Sequence, residues 1–167
     1  MDYSIVKSAE FSECGLYRYQ LQRSWSLIQQ PTAMCIGLNP STANSDKDDP
    51  TIRTLISVLK RLGYGGLLMC NLYALISSKP DKLWCVADNV KDNDKWLVDS
   101  WTESNDVIFC WGSFKGIDYR VKKVSAMFPD AKCFGLNKNG TPMHPLSLMY
   151  QGITKTVQLE KYHGIRS

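Results

Sequence analysis

The sequence predicts an α/β fold, a three-layer α-β-α sandwich around a central, mostly parallel, four-stranded sheet. Three observations lead there. Four short apolar runs, at 33–38 (AMCIGL), 67–72 (LLMCNL), 107–111 (VIFCW) and 131–136 (AKCFGL), read as strands buried on both faces. Stretches with helical spacing lie between them, which is the kind of crossover that parallel strands need. The runs give way to polar or Gly/Pro-bearing segments, so Gly and Pro mark element boundaries.

Each element has its own signal. Residues 15–25 alternate Leu16, Tyr17, Arg18, Tyr19, Gln20 and Leu21, which reads as an edge strand. The run at 33–38 follows Pro31 and stops at Asn39-Pro40, a turn signal. Asp48 and Asp49 precede Pro50, and Ile52, Leu55, Ile56, Leu59 and Leu62 recur at helical spacing until Gly63. Acid before proline starts a helix and glycine stops one, so 50–62 is helical. The strand at 67–72 leads to a loop at Lys79-Pro80. Residues 89–102 read as a helix whose partial apolar face is Val90, Trp96, Leu97, Val98 and Trp101. Gly112 ends the strand at 107–111, and a helix at 121–128 stops before Pro129. After the strand at 131–136 comes a polar loop at 137–145, then a short strand or frayed end at 153–159.

The chain has 167 residues, which suits one domain spanning 1–167 with a core that needs no disulfide or metal. Hydrophobic residues make up 44% and charged residues 22%, an ordinary composition for a soluble protein. No apolar run approaches the roughly 20 residues that span a bilayer. The first residues, MDYSIVKSAEFSE, are too polar for a secretory signal. A cytoplasmic location without membrane attachment is therefore expected. The net charge of +4 is compatible with a nucleic-acid partner without demanding one. No two of the six cysteines sit at CxxC spacing, and four of them fall inside apolar runs. They read as buried thiols, with no metal and no cofactor expected.

Ligands of such sheets bind beyond the carboxyl ends of the strands. That rule selects residues 39–45, 71–74, 112–116 and 137–147. The motifs lie in the same places. GLNPSTA (37–43), LLMCNLYAL (67–75), VIFCWGSF (107–114) and HPLSL (144–148) occur in this order. Together they resemble the uracil-DNA glycosylase superfamily: its water-activating loop, its base-reading strand, its strand ending in Trp-Gly and its His-Pro loop. The wider pattern of GLNPSTA, DDPT and HPL is similar to an uncharacterised bacterial and phage family known only as a domain of unknown function.

The resemblance implies a uracil-DNA-glycosylase-like fold and a DNA glycosylase that hydrolyses the N-glycosidic bond of a modified or mismatched pyrimidine. Asn39 and His144 would be catalytic, Asn39 placing water and neutral His144 donating to the leaving base oxygen. Asn71, Ser41 and Pro40 would bind the base, and Leu146 would wedge into the duplex. Thr42, Asp49, Arg53, Trp111 and Gly112 are candidates for lining the pocket or shaping its loops. Ser41 stands where the most active uracil enzymes carry a blocking Tyr, which implies room for a 5-substituent. The partner would be DNA or a small nucleotide.

Plainer readings stay open beside these. Asn39 before Pro40 can shape a turn. Asn71 can bond main chain at a strand end, and His144 can be a solvated loop residue. Asp48 and Asp49 can cap a helix, or Asp49 can supply a carboxylate positioned by Arg53. Arg120, Lys115, Lys122, Lys123 and Lys138 are candidates for a phosphate-binding face. The function alternatives are a non-catalytic module for a nucleotide or modified base, and a nucleoside or nucleotide hydrolase.

Overall fold

The computed structural model describes residues 6–79 and 90–164. Pro80, Cys85 and the expected helix start at Asn89 lie outside the described residues.

Among these, the strands are β1 (Val6–Phe11), β2 (Arg18–Ser24), β3 (Thr32–Gly37), β4 (Gly66–Asn71), β5 (Asp106–Phe109), β6 (Lys132–Cys133) and β7 (Glu160–Lys161). The helices are α1 (Pro50–Arg61), α2 (Val90–Thr102), α3 (Asp118–Met127) and α4 (Pro145–Tyr150). The strands form one seven-stranded sheet in the order β1-β2-β4-β3-β5-β6-β7. The pairings β3–β4, β3–β5 and β5–β6 are parallel, and β1–β2, β2–β4 and β6–β7 are antiparallel.

This corrects the expected fold class. The sheet is mixed and seven-stranded, not a four-stranded, mostly parallel sheet of the uracil-DNA-glycosylase kind. The missing strands have weak local signals. In β1 (VKSAEF) no residue is fully buried, and β7 has only two residues, too few for any period. β2 is not an edge strand either, since it pairs with β1 on one side and β4 on the other. Two smaller corrections follow. Residues 145–150 form α4 where a loop gave way to unassigned chain, and the last strand falls at Glu160–Lys161, not within 153–159.

The central strands show why they read as unbroken apolar runs. In β3, Ala33 and Cys35 pack in one core cluster with Leu55 and Leu59 of α1 and Leu148 of α4. Met34 and Ile36 pack in another with Leu97 of α2 and Val121 and Val124 of α3. Successive side chains leave a strand on opposite faces, so a strand covered on both sides has no polar alternate. α2 departs from its expected apolar face. Among its described side chains Leu97 is buried, but Val98 and Trp101 are exposed, and the other buried positions are the polar Asn93 and Ser100; the Val90 side chain lies outside the described residues.

Asp49 caps α1, its Oδ1 accepting from the Ile52 N–H at 2.9 Å, and Pro50 occupies the first turn. The loop before this cap is tied to β2 by the fully buried Arg23. Its Nε donates to Asp48 at 2.7 Å, and its Nη2 donates to the Asn44 carbonyl at 2.5 Å.

Cys35, Cys70, Cys110 and Cys133 are buried free thiols. Burial pushes the Cys70 thiol up to about 12, so it stays protonated at neutral pH. No group of three or more His, Cys, Asp or Glu able to hold a metal ion occurs among the described residues. No helix among them is long and apolar enough to cross a membrane.

Candidate functional site

The carboxyl ends of β3, β4 and β5 open into a cavity of about 630 Å³. Its wall contains Asn39, Ser41, Asp49, Asn71, Trp111, Gly112, His144 and Leu146, residues separated by up to about 100 positions in the chain. Pro40, Thr42 and Arg53 are not part of the wall. Pro40 is buried behind it, and its carbonyl accepts from the Ser77 N–H at 3.0 Å. Thr42 is exposed. Arg53 donates to the Asp48 carbonyl at 2.7 Å on the outer surface, so Arg53 does not position Asp49 in the cavity.

Asn71 is held from several directions. Its main-chain carbonyl accepts from Asn93 Nδ2 at 3.0 Å, and the next carbonyl, of Leu72, accepts from Asn93 at 3.1 Å and from Arg120 Nε at 2.7 Å. Its side chain is 2% exposed, and Nδ2 has no hydrogen-bond partner among the described residues. A buried donor left unpaired costs about 1–3 kcal/mol, so the arrangement favours a ligand that accepts from it. Gly37 makes room for this side chain. A Cβ at position 37 would lie 2.9 Å from Asn71 Oδ1 and 2.7 Å from Met69 Cε. Both atoms end side chains that can shift, so Gly37→Ala should displace the Asn71 amide and weaken ligand binding at a small cost in stability. Urea unfolding and ligand titration measure the two effects. A variant that binds ligand as tightly as the parent would contradict the packing.

The amide of Asn39 is oriented by main chain. Nδ2 lies 2.7 Å from the Ser77 carbonyl, 3.0 Å from that of Pro40 and 3.4 Å from that of Leu75. Carbonyls accept only, so the nitrogen faces them and Oδ1 is left as an acceptor. The turn-shaping and water-placing readings of Asn39 are thus compatible: one end of the amide does each.

His144 is the N-cap of α4, its Nδ1 accepting from the Leu146 N–H at 3.1 Å. Burial lowers its pKa below the ordinary 6.5, and the Asp49 carboxylate opposes that shift. The ring is therefore neutral at pH 7. With Nδ1 accepting, its proton sits on Nε2, and His144 offers the cavity a neutral N–H donor. Gly112 permits this approach. Its φ is +77°, and a Cβ there would sit 3.2 Å from His144 Cβ. Its N–H donates to Pro142 at 3.0 Å, which ties the His loop to the end of β5. Trp111, 2% exposed, is a wall residue that packs against Phe109 and Tyr162.

Leu146 is half-buried in the wall, and Tyr150, one helical turn on, is 79% exposed there. The supposed phosphate face is not one surface. Arg120 is buried in an ion pair with Asp94 at 2.5 Å, which also binds Lys123 at 2.8 Å. Lys115 and Lys138 are exposed and adjoin the wall residues Phe114 and Asn137.

Three contributors had no motif to reveal them. Asn93 sits on a face of α2 that apolar periodicity misassigns. Tyr150 follows the HPL motif, in chain not read as a helix. Arg18 reaches the cavity because β2 adds antiparallel to β4, a pairing with no local signature. It is 3% exposed, and burial brings its pKa down to about 10, still protonated at neutral pH.

Fold and cavity together define a mixed-sheet protein with a candidate site, lined by polar and apolar groups, at its strand ends. The chain belongs to the family described as protein of unknown function DUF1643, whose model matches residues 18–146. Comparison with curated proteins and with solved structures returns no match.

Proposed function

We propose that the chain is a glycosylase-like enzyme that hydrolyses the N-glycosidic bond of a modified or mismatched pyrimidine in DNA. One observation carries this reading. The neutral His144 with its Nε2 proton, the buried Asn71 with its unpaired amide nitrogen and the oriented Asn39 line one cavity. Cleaving this bond builds negative charge on the departing base and positive charge on the sugar. A neutral donor at the base oxygen stabilises the first without itself carrying charge into the cavity. Asn71 offers both a donor and an acceptor to a pyrimidine edge. Asn39 Oδ1 accepts from a water and holds it for attack on the sugar carbon. The water's proton leaves to solvent or to Asp49, whose Oδ1 is engaged as a cap and whose Oδ2 has no hydrogen-bond partner among the described residues. The motif resemblance to uracil-DNA glycosylases agrees with these roles.

Exposed Lys115 and Lys138 beside the mouth suit a phosphate backbone, and Leu146 with Tyr150 suits the space left by an extruded base. The test is incubation with DNA carrying uracil, mismatched thymine or 5-modified pyrimidines, with free base measured by mass spectrometry. Folded protein that releases no base from any of them excludes the reading.

The pH profile gives a second check. Only neutral His144 donates without adding charge, so base release should fall as pH drops through its lowered pKa, below 6.5. The Asp49 carboxylate raises that pKa, so Asp49→Asn should move the acid limb to lower pH. Asn also caps helices well, so α1 keeps its start. A limb that stays put, or moves to higher pH, contradicts the coupling.

A base-binding module without catalysis is the second reading. It is favoured by the bonding of Asn39 Nδ2 to three main-chain carbonyls, which is a loop-pinning role in itself. Ligand-induced stabilisation with no product distinguishes it.

A further inference from the structure

Arg18 has an unusual position for a charged residue. It is 3% exposed, lines the cavity and has no ion-pair partner among the described residues. Burying a guanidinium without a carboxylate is costly, so something else must compensate its charge when the site is filled. Its hydrogen bonds are also lopsided. Nη1 donates to the Ala43 carbonyl at 2.7 Å, whereas Nε is buried without a partner and Nη2 has none among the described residues. The Nε–Nη2 edge carries two parallel N–H groups, the fork that matches the two oxygens of a carboxylate or phosphate. Asp49, on the same cavity wall, favours the charged guanidinium from a distance but makes no ion pair or hydrogen bond with this edge.

The unpaired buried groups in this cavity are of one kind. Arg18 Nε and Asn71 Nδ2 are both donors, and no fully buried side-chain acceptor among the wall residues lacks a partner, the open acceptors Asn39 Oδ1 and Asp49 Oδ2 being less buried. The complementary ligand must therefore present acceptors to both. Arg18 and Asn71 come from β2 and the end of β4, neighbouring strands of the sheet. An anion on the ligand can meet Arg18 while the ring edge meets Asn71.

We infer that Arg18 is a specificity residue: its free Nε–Nη2 edge binds an anionic group, a carboxylate on the pyrimidine or a nucleotide phosphate, in the cavity that Asn71 shares. This rests on the reading of the cavity as a base pocket, but not on base release.

The experiment is calorimetric titration of the intact protein with four ligands: uracil, 5-carboxyuracil, deoxyuridine and deoxyuridine 5′-monophosphate. A charge-assisted pair is worth about 1.5–3 kcal/mol, which converts to about 10–100-fold in affinity. 5-Carboxyuracil should bind more tightly than uracil by that factor if the anion is on the base. The monophosphate should exceed deoxyuridine by it if the anion is the phosphate. Either preference should vanish in Arg18→Gln and largely vanish in Arg18→Lys, which keeps the charge but lacks the fork. The comparison within the parent protein holds even if a variant folds poorly. Equal affinity for charged and neutral members of both pairs overturns the inference, as does binding of none of the four, or a preference that persists in folded Arg18→Gln. Anion preference without base release from any DNA leaves Arg18 in this role and removes the glycosylase reading alone.

Discussion

His144→Ala should slow base release by about 10²–10³-fold, the usual consequence of losing one well-aimed donor to a developing oxyanion. The expectation comes from bonding around the ring. Nδ1 is an acceptor for the Leu146 N–H, so the neutral ring must carry its proton on Nε2. The same bond makes His144 the N-cap of α4, and removing a cap costs about 1 kcal/mol. His144→Asn separates the two effects, because Asn restores the cap but replaces the ring donor. Both variants should be slow, and the alanine variant should melt at lower temperature. Single-turnover base release and thermal unfolding measure these outcomes. An alanine variant within threefold of the parent rate would remove His144 from the chemistry.

The pH dependence of stability should change in the same variants. Burial holds the folded-state pKa of His144 below its ordinary value of 6.5. The unfolded chain then takes up more protons as pH falls, so acid favours unfolding. This contribution to stability is fully present above 6.5 and fades as pH drops through that value toward the lower folded-state pKa. It should be absent when His144 is replaced.

Arg23→Met should lower stability by about 3–5 kcal/mol, the range found when one partner of a buried ion pair is removed. Arg23 is fully buried, and its guanidinium serves Asp48 at 2.7 Å together with the carbonyls of Gln22 at 2.8 Å and Asn44 at 2.5 Å. Methionine fills similar volume but satisfies none of these groups. Among the described residues Asp48 would keep only Lys7, 3.6 Å away, as its ion-pair partner. The consequence reaches the cavity through the chain. Residues 43–49 carry the Ala43 carbonyl that holds Arg18 and the Asp49 that faces His144 electrostatically. Ligand affinity should therefore fall with stability. Urea unfolding that shows a loss below about 1 kcal/mol would mean that Arg23 does not organise this loop.

The cavity's motif-bearing residues were legible for a physical reason. Asn39, Asn71 and Gly112 stand where apolar runs end, and a chain buried on both faces must expose its polar groups at its ends, whereas His144 was marked by its His-Pro motif in the loop after the fourth run. Pro40 and Thr42 stand in the same motifs but face elsewhere, since a motif does not specify which way each side chain turns. Arg18 and Asn93 were not legible. Their burial follows from an antiparallel addition to β4 and from the rotation of α2, and neither has a local period.

The chain's own pattern determined the three buried central strands β3, β4 and β5, the Asp49-Pro50 start of α1 and the clustering of polar residues at strand ends, because these follow from local spacing and burial; the fourth apolar run forms only the two-residue β6. Tertiary structure alone decided that the sheet has seven strands of mixed direction, that Arg18 enters the cavity and that Arg53 does not. Strand order and side-chain direction depend on partners far away in the chain. The energy of such pairings is absent from any short window of sequence.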